Sequence, residues 1–299
     1  MVEVAPGVLS LAAAVPFYPG PYPPNVYLLA DGGEGALIDS GFGDEASVRA
    51  RLESLAGFPG LRLAYIVLTH HHPDHSGGAD GLRQATGAQV IAHRDEVRFL
   101  EELPSGADHE PEVAGLERSL REAAARAKPD RLLAGGEVLS VGGLEVEAIH
   151  TPGHTLGSLC LYLRRQRVLF TGDTILGVGT VAVSPPPHGD MGLYLESLER
   201  LEGYDIALIC PGHGPPVRDA RRKIRELIDH RQQREEQILL LVAEGKATVA
   251  QLLAEVYPEL DRRLTTLAQR QILAHLHKLA REGKLRLQGE GEGLRAAPS

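Results

Sequence analysis

Short apolar runs punctuated by Gly, Asp and Pro recur through the first two thirds of the chain, and a longer, helical period takes over from Asp219. Residues 26–30 and 36–39 read as strands about the turn Asp31-Gly32-Gly33. Val48, Leu52 and Leu55 recur at helical spacing within 44–55. Residues 63–68 are a short, apolar and β-branched run, a buried strand, followed by a helix over 76–86 and a strand over 89–92. Residues 94–130 are polar and rich in Ala, Glu and Arg, the composition of a solvated, partly helical insertion near the mouth of a site. The β pattern resumes as a hairpin, 138–141 and 144–149 about Gly142-Gly143. Strands over 159–163 and 168–171, a helix over 193–201 and a strand over 206–210 complete this part. Strands and helices mixed in this way predict a layered α/β domain.

Beyond it, 219–244 reads as one long helix with Ile224, Leu227, Ile228, Ile238 and Leu241 toward one face, ended by Gly245. Thr248 caps a short helix through Val256, closed by Pro258. A third helix, 264–282, stops at Gly283, and 284–288 reads as a strand. Helix, helix, helix, strand is the order of a winged-helix module; the Gly- and Ala-rich residues 289–299 read as a loose tail. The expected organisation is a catalytic domain over 1–217 and a winged-helix-like domain over 218–299. Charge changes at the same place. Acidic residues outnumber basic ones 28 to 15 up to residue 217, and basic outnumber acidic 16 to 12 beyond it. A basic module on an acidic body points to separate partners.

No apolar run approaches the ~20 residues a membrane span needs. The stretch 9–17 is short, follows no basic residue and is interrupted by Pro16 and Pro19, so a cytoplasmic chain with no membrane association is expected. Cys160 and Cys210 each lie in an apolar run without metal-ligand spacing and read as small buried side chains.

The chemistry concentrates in Thr69-His70-His71-His72-Pro73-Asp74-His75, directly after a strand. Pro73 argues against a regular helix through the cluster, so a loop can send His70 and His72 one way and Asp74 and His75 another. Three more donors each end a strand-like run among Gly and Pro: His154 in Thr151-Pro152-Gly153-His154-Thr155, Asp173 in Thr171-Gly172-Asp173-Thr174, and His213 in Pro211-Gly212-His213-Gly214. Singly, each is a turn residue; with the cluster they make the convergent imidazole and carboxylate set of a two-metal site, suited to Zn²⁺ and also to Mn²⁺ or Fe²⁺.

With every position of His-x-His-x-Asp-His followed by His, Asp and His filled, the chain resembles the metallo-beta-lactamase superfamily over residues 2–217. The resemblance implies an αββα sandwich with two metal ions at the sheet edges. His70, His72 and His154 would hold the first, Asp74, His75 and His213 the second, and Asp173 would bridge. Lactamases of the common subclass carry Cys where this chain has Asp173; the oxygen bridge resembles the thioesterase and phosphodiesterase branches. Residues 172–177 and the C-terminal helices resemble the beta-lactamase-like protein 2 family, with similarity through 230–236 and 276–285. That family implies cleavage of single-stranded RNA. The Pro-rich loop 184–190 departs from the pattern near where substrate would enter, and His188 in it is either a substrate contact or a plain surface histidine; Asn25 is expected at the mouth.

Two divalent ions about 3.5–4 Å apart share a water whose pKa falls toward ~7, giving a bridging hydroxide at neutral pH. Asp74 would orient that nucleophile and take its proton, and Asp39, ending a strand in Ile38-Asp39-Ser40-Gly41, would steady a ligand histidine. Three functions share this chemistry. The leading one is a phosphodiesterase acting on single-stranded RNA, as the family resemblance implies, with Arg262, Arg263, Arg270, Lys278, Arg281 and Lys284 available to phosphates, although charge alone reads them as a solvated helix face. The alternative is an acyl-thioester or related acyl hydrolase similar to glyoxalase II, since the acidic body does not invite polyanions. The third is a non-enzymatic protein that binds nucleic acid or dimerises and whose metal site is structural; the C-terminal module could pair two chains as a homodimer.

Overall fold

At alternate positions along the strands of two sheets, an aliphatic or aromatic side chain turns into one buried cluster. Tyr27 and Leu29, Ala36 and Ile38, Val146 and Ala148, Leu159, Leu161 and Leu163, and Val168 and Phe170 all follow this period of two. The computed structural model describes residues 1–11, 22–101, 119 and 121–299. They divide into two units, Met1–His150 with Gly157–Gly179 and Asp205–Ala220, and Thr151–Leu156 with Thr180–Tyr204 and Arg221–Ser299.

In the first unit, one sheet runs in spatial order β1 (Val2–Ala5), β2 (Val8–Leu11), β3 (Val26–Asp31), β4 (Glu34–Ile38), β5 (Arg62–Val67), β6 (Gln89–His93) and β7 (Arg131–Leu133). It is antiparallel as far as β4 and parallel from β4 to β7. The other comprises β8 (Val138–Val141), β9 (Leu144–His150), β10 (Leu159–Leu163), β11 (Val168–Gly172) and β12 (Leu208–Pro211), antiparallel except between β11 and β12. The cluster above lies between them. On the other face of the first sheet, Leu28, Leu37 and Ile66 meet Val48 and Leu52 of α1 (Glu45–Ala56) and Leu82 of α3 (Ala79–Thr86). Asp44 caps α1 by accepting the Ser47 N–H, as its position before the helical period requires.

Several expectations are corrected. The helix expected over 76–86 is two pieces, α2 (Pro73–Ser76) and α3, because Gly77 and Gly78 run against the backbone of Gly43 and Ser40 where a Cβ would not fit. β1, β2 and β7 escaped the pattern: β7 is three residues long and buries only Leu133. Within the 94–130 insertion, Arg94–Glu96 is a 3₁₀ turn and Val97–Glu101 is α4; residues 102–118 and 120 lie outside the described residues.

The second unit contains α5 (Met191–Leu201), nearly all of α6 (Ala220–Ala243), α7 (Val249–Val256), α8 (Thr265–Arg281), β13 (Leu285–Gln288) and β14 (Arg295–Pro298). The Thr248 hydroxyl and the Gln251 side chain form a capping box at the start of α7. Ile238, Val242, Leu252, Ile272, Leu276, Leu279, Leu285 and Ala296 form its core. Residues 289–299 are therefore no loose tail. Arg295–Pro298 pairs antiparallel with β13, its Ala296 buried in that core, and the glycines form the turn between the two strands. This hairpin is the wing of a winged helix. Among the described residues, no helix is long and apolar enough to cross a membrane.

Leu161, fully buried at the centre of β10, tests the core. Leu161→Ala is expected to lower unfolding free energy by about 2–5 kcal/mol, read from urea denaturation. Thr248→Ala, which removes only a cap, is expected to cost about 1 kcal/mol.

Candidate metal centre

Three loops of the first unit leave the ends of β5, β11 and β12 and meet. The Thr69 carbonyl accepts the Leu159 N–H at 2.9 Å, and the Gly172 carbonyl accepts the Gly212 N–H at 2.7 Å, so the loop after β5 is tied to the second sheet and those after β11 and β12 to each other. No helix runs through His70 to His72; Pro73 opens α2 as its first residue, where a missing N–H costs nothing. This single turn brings Asp74 and His75 into the group of His213, while the His75 ring stays 4.2 Å from that of His70.

His70 Nε2 and His72 Nδ1 stand 2.9 Å apart, and both lie within 4.8 Å of the Asp173 carboxylate. His75 Nε2 and His213 Nε2 face each other at 3.1 Å, with Asp74 Oδ2 3.3 Å from His213 Nε2 and 3.8 Å from His75 Nε2. Asp173 Oδ1 is 3.4 Å from His75 Nε2 and 3.5 Å from His213 Nε2. Asp173 thus reaches both groups, the placement a bridging carboxylate needs. A Cβ on Gly212 would fall 2.6 Å from Asp173 Oδ1 and 2.8 Å from His75 Cε1, so only glycine leaves room there.

Behind these donors sits a layer of acceptors. His75 Nδ1 meets Asp39 Oδ2 at 2.8 Å, His213 Nδ1 meets the Tyr22 carbonyl at 3.0 Å, and His70 Nδ1 meets Thr69 Oγ1 at 3.0 Å. Asp39 also accepts the Thr69 N–H at 2.7 Å and the Thr69 hydroxyl at 2.9 Å. Each Nδ1–H donated outward leaves the Nε2 lone pair for the centre. The donor set of imidazole nitrogens and carboxylate oxygens, crowded at hydrogen-bond distances, fits divalent cations such as Zn²⁺, Mn²⁺ or Fe²⁺.

Protons respond to the same crowding. Burial disfavours a charged His75, yet Asp74, Asp173 and Asp39 outweigh it and push the imidazole up to about 10. Burial likewise opposes the Asp74 carboxylate, but His75, His213 and His72 hold it well below the usual range. His213 is raised as well, its own burial outweighed chiefly by Asp74 and Asp173. A proton on His75 thus does locally what a cation would do.

Asp39, which the sequence singled out, has its Oδ2 2.8 Å from His75 Nδ1. Asn25 spends both amide hydrogens on the carbonyls of Pro211 and Gly214, at 2.9 and 2.8 Å, so it clamps the His213 loop. His154 is carried by the second unit, where its Nδ1 meets the Ala182 carbonyl at 2.8 Å. His188 is exposed on a turn of that unit. Sequence reasoning missed Thr69 and Glu96. The Glu96 carboxylate accepts the N–H groups of His71 and Gly157, each at 2.7 Å, and also holds the His71 ring, which stacks on Phe99. No local pattern marks Glu96, because its partners lie 25 and 61 residues away.

Comparison with known proteins agrees with this geometry. Residues 19–213 match the metallo-beta-lactamase superfamily model, and residues 248–292 match that of the beta-lactamase associated winged helix domain. The chain is 32% identical over 255 residues to an atrochrysone carboxyl ACP thioesterase of Aspergillus fumigatus, covering 79% of this chain and 69% of that protein. It is 32% identical over 266 residues to a beta-lactamase-like protein 2 homolog of Drosophila melanogaster, covering 88% and 84%. A crystal structure of a metallo-beta-lactamase family protein from Thermus thermophilus superposes with a TM-score of 0.80 at 29% identity, over 99% of this chain and 100% of that one.

Two measurements check the centre. Asp39→Ala is expected to weaken metal binding about 10–100-fold, read by competition with a chromophoric chelator. In the metal-free chain, the His75 proton contributes stability that is complete below the unfolded imidazole value of about 6.5. That contribution is expected to disappear as pH rises toward about 10, lowering the urea midpoint; saturating metal, which displaces the proton, is expected to remove the dependence.

Proposed function

This chain belongs to the metallo-beta-lactamase superfamily, and we propose that within it the protein is a binuclear metal-dependent hydrolase of acyl thioesters. His70, His72 and His154 are assigned to one cation, Asp74, His75 and His213 to the other, and Asp173 to both; His154 enters on its motif, Thr151–Thr155. Two divalent cations, zinc first among them, supply the Lewis acidity that cleavage of an acyl or phosphoryl bond needs at neutral pH. The chain's own residues do the rest. Asp74, ionised at neutral pH, accepts the hydrogen bond of the attacking water at Oδ2, orients it and receives its proton. Asp39 and Thr69 keep the imidazoles turned, and Asn25 and Gly212 keep the His213 loop against the cluster.

The choice of an acyl substrate over a polyanion rests on one observation. Among the described cations that would face phosphates, ion pairs within their own unit engage Lys278 with Glu235 and Glu282 at 2.7 and 2.8 Å, Lys284 with Glu282 at 2.8 Å, and Arg281 with Asp190. The similarity to an ACP thioesterase supports the same choice.

A second reading, a phosphodiesterase cutting single-stranded RNA, draws on the winged-helix domain and on the similarity to beta-lactamase-like protein 2 homologs. The two readings part in one experiment. Metal-analysed protein is offered acyl-CoA, acyl-glutathione and acyl-pantetheine thioesters beside labelled single-stranded RNA, with and without EDTA. Chelator-sensitive thioester turnover that varies little with salt, lost more than about 100-fold in His154→Ala and in Asp74→Ala, is the expected result. RNA cleavage that falls steeply with salt, with thioesters untouched, would select the second reading; no metal-dependent turnover of either would end both.

A further inference from the structure

Within the second unit, the residues around His154 are held by residues 182–197, and the C-terminal helices in turn hold the first part of that segment. The His154 imidazole donates from Nδ1 to the Ala182 carbonyl at 2.8 Å. On its N-terminal side, the Pro152 carbonyl accepts the Ser197 hydroxyl at 2.8 Å, and the Gly153 carbonyl accepts the Asp190 N–H at 2.9 Å. All three of these contacts reach the turn from residues 182–197.

The strap formed by residues 180–190 has no strand or helix to fix it; side chains of α6 and α8 do so instead. Arg231 of α6, 2% exposed, donates from Nη2 to the Val181 carbonyl at 2.6 Å and to the Thr180 hydroxyl. Gln271 of α8, 6% exposed, accepts the Val183 N–H on Oε1 at 2.9 Å. Arg281, at the end of α8, makes a two-pronged ion pair with Asp190 at 2.5 and 2.8 Å. Ala182, whose carbonyl turns the histidine, sits between the two residues that Arg231 and Gln271 grip. Removing either grip strands a buried backbone dipole beside it.

We propose that Arg231, Gln271 and Arg281 are positioning residues for His154, so that the winged-helix unit sets the orientation of a metal ligand rather than serving only as an appended binding module. The inference rests on His154 ligating the first cation, as assigned above. An imidazole directed by a carbonyl acceptor presents its other nitrogen along one line, and loss of such an outer partner characteristically costs a metal site about 10–100-fold in affinity.

The full-length chain carries the test. Gln271→Met and Arg231→Met are purified, checked for parent-like circular dichroism, and titrated with Zn²⁺ against a chromophoric chelator. One of the two equivalents is expected to weaken about 10–100-fold while the other keeps its affinity; Gln271→Glu, which retains the Oε1 acceptor, is expected to restore it. Leu285→Ala, in the core of the same unit and away from the strap, controls for general destabilisation and is expected to change neither equivalent. Should Gln271→Met fail to fold, Arg281→Gln, whose side chain is 56% exposed, reports the same selective weakening. Two equivalents at parental affinity in the folded variants, or equal loss of both in these and in Leu285→Ala, would overturn the inference. His154→Ala separates the premises: retention of both equivalents there removes the ligand assignment, whereas loss of one there, with the strap variants unchanged, removes the positioning role alone.

Discussion

Three hydrogen bonds converge on the Asp39 carboxylate, from the Thr69 amide, the Thr69 hydroxyl and His75 Nδ1. To deliver its side chain there, Asp39 adopts φ of +61°, a left-handed backbone that disfavours side chains and costs on the order of 1–3 kcal/mol. The interactions that hold it are the ones that order the site. One carboxylate end fixes where the chain leaves β5, the other turns His75, and through the Thr69 hydroxyl the same group reaches His70. Histidines on both sides of the centre thus hang from a single buried anion, which itself needs positive charge in front of it to be tolerated at 2% exposure.

The donors were legible in the sequence because each sits where a strand ends among Gly and Pro, and such ends leave little conformational choice. Asp39 was legible for the same reason. What escaped has the opposite character. Thr69 is an ordinary strand terminus until Asp39, 30 residues away, is folded under it, and Glu96 is one more acid in a polar stretch until Gly157 arrives 61 residues later. β7 and β14 were missed because only Leu133 is buried in the one and the other is rich in small residues. Pro73 keeps a helix from running back through the cluster, as its ring predicts, and is at home in the first turn of the short helix that follows.

The basic character of the C-terminal segment also looks different once folded. Glu235 sits between Lys278 and His275, accepting from one at 2.7 Å and lying 3.4 Å from the other. Burial drives His275 down to about 4, so that this histidine is neutral and Lys278 alone answers the carboxylate. Such a buried pair adds little net stability, since desolvation consumes most of the attraction, but it fixes which face of α8 meets α6. Charge counted along the chain therefore overstates what this unit offers to a polyanion.

Sulfur has no part in the centre. Cys160 and Cys210 form no disulfide and are buried in the second sheet, and burial pushes the Cys210 thiol up to about 12, keeping it protonated and unreactive. Where related sites present a thiolate, this one presents the Asp173 carboxylate. Peroxide or disulfide stress, which converts thiolate ligands to sulfenic acid or mixed disulfides, finds nothing to attack among imidazoles and carboxylates. The side chains gathered at the candidate centre thus offer such oxidants no thiolate.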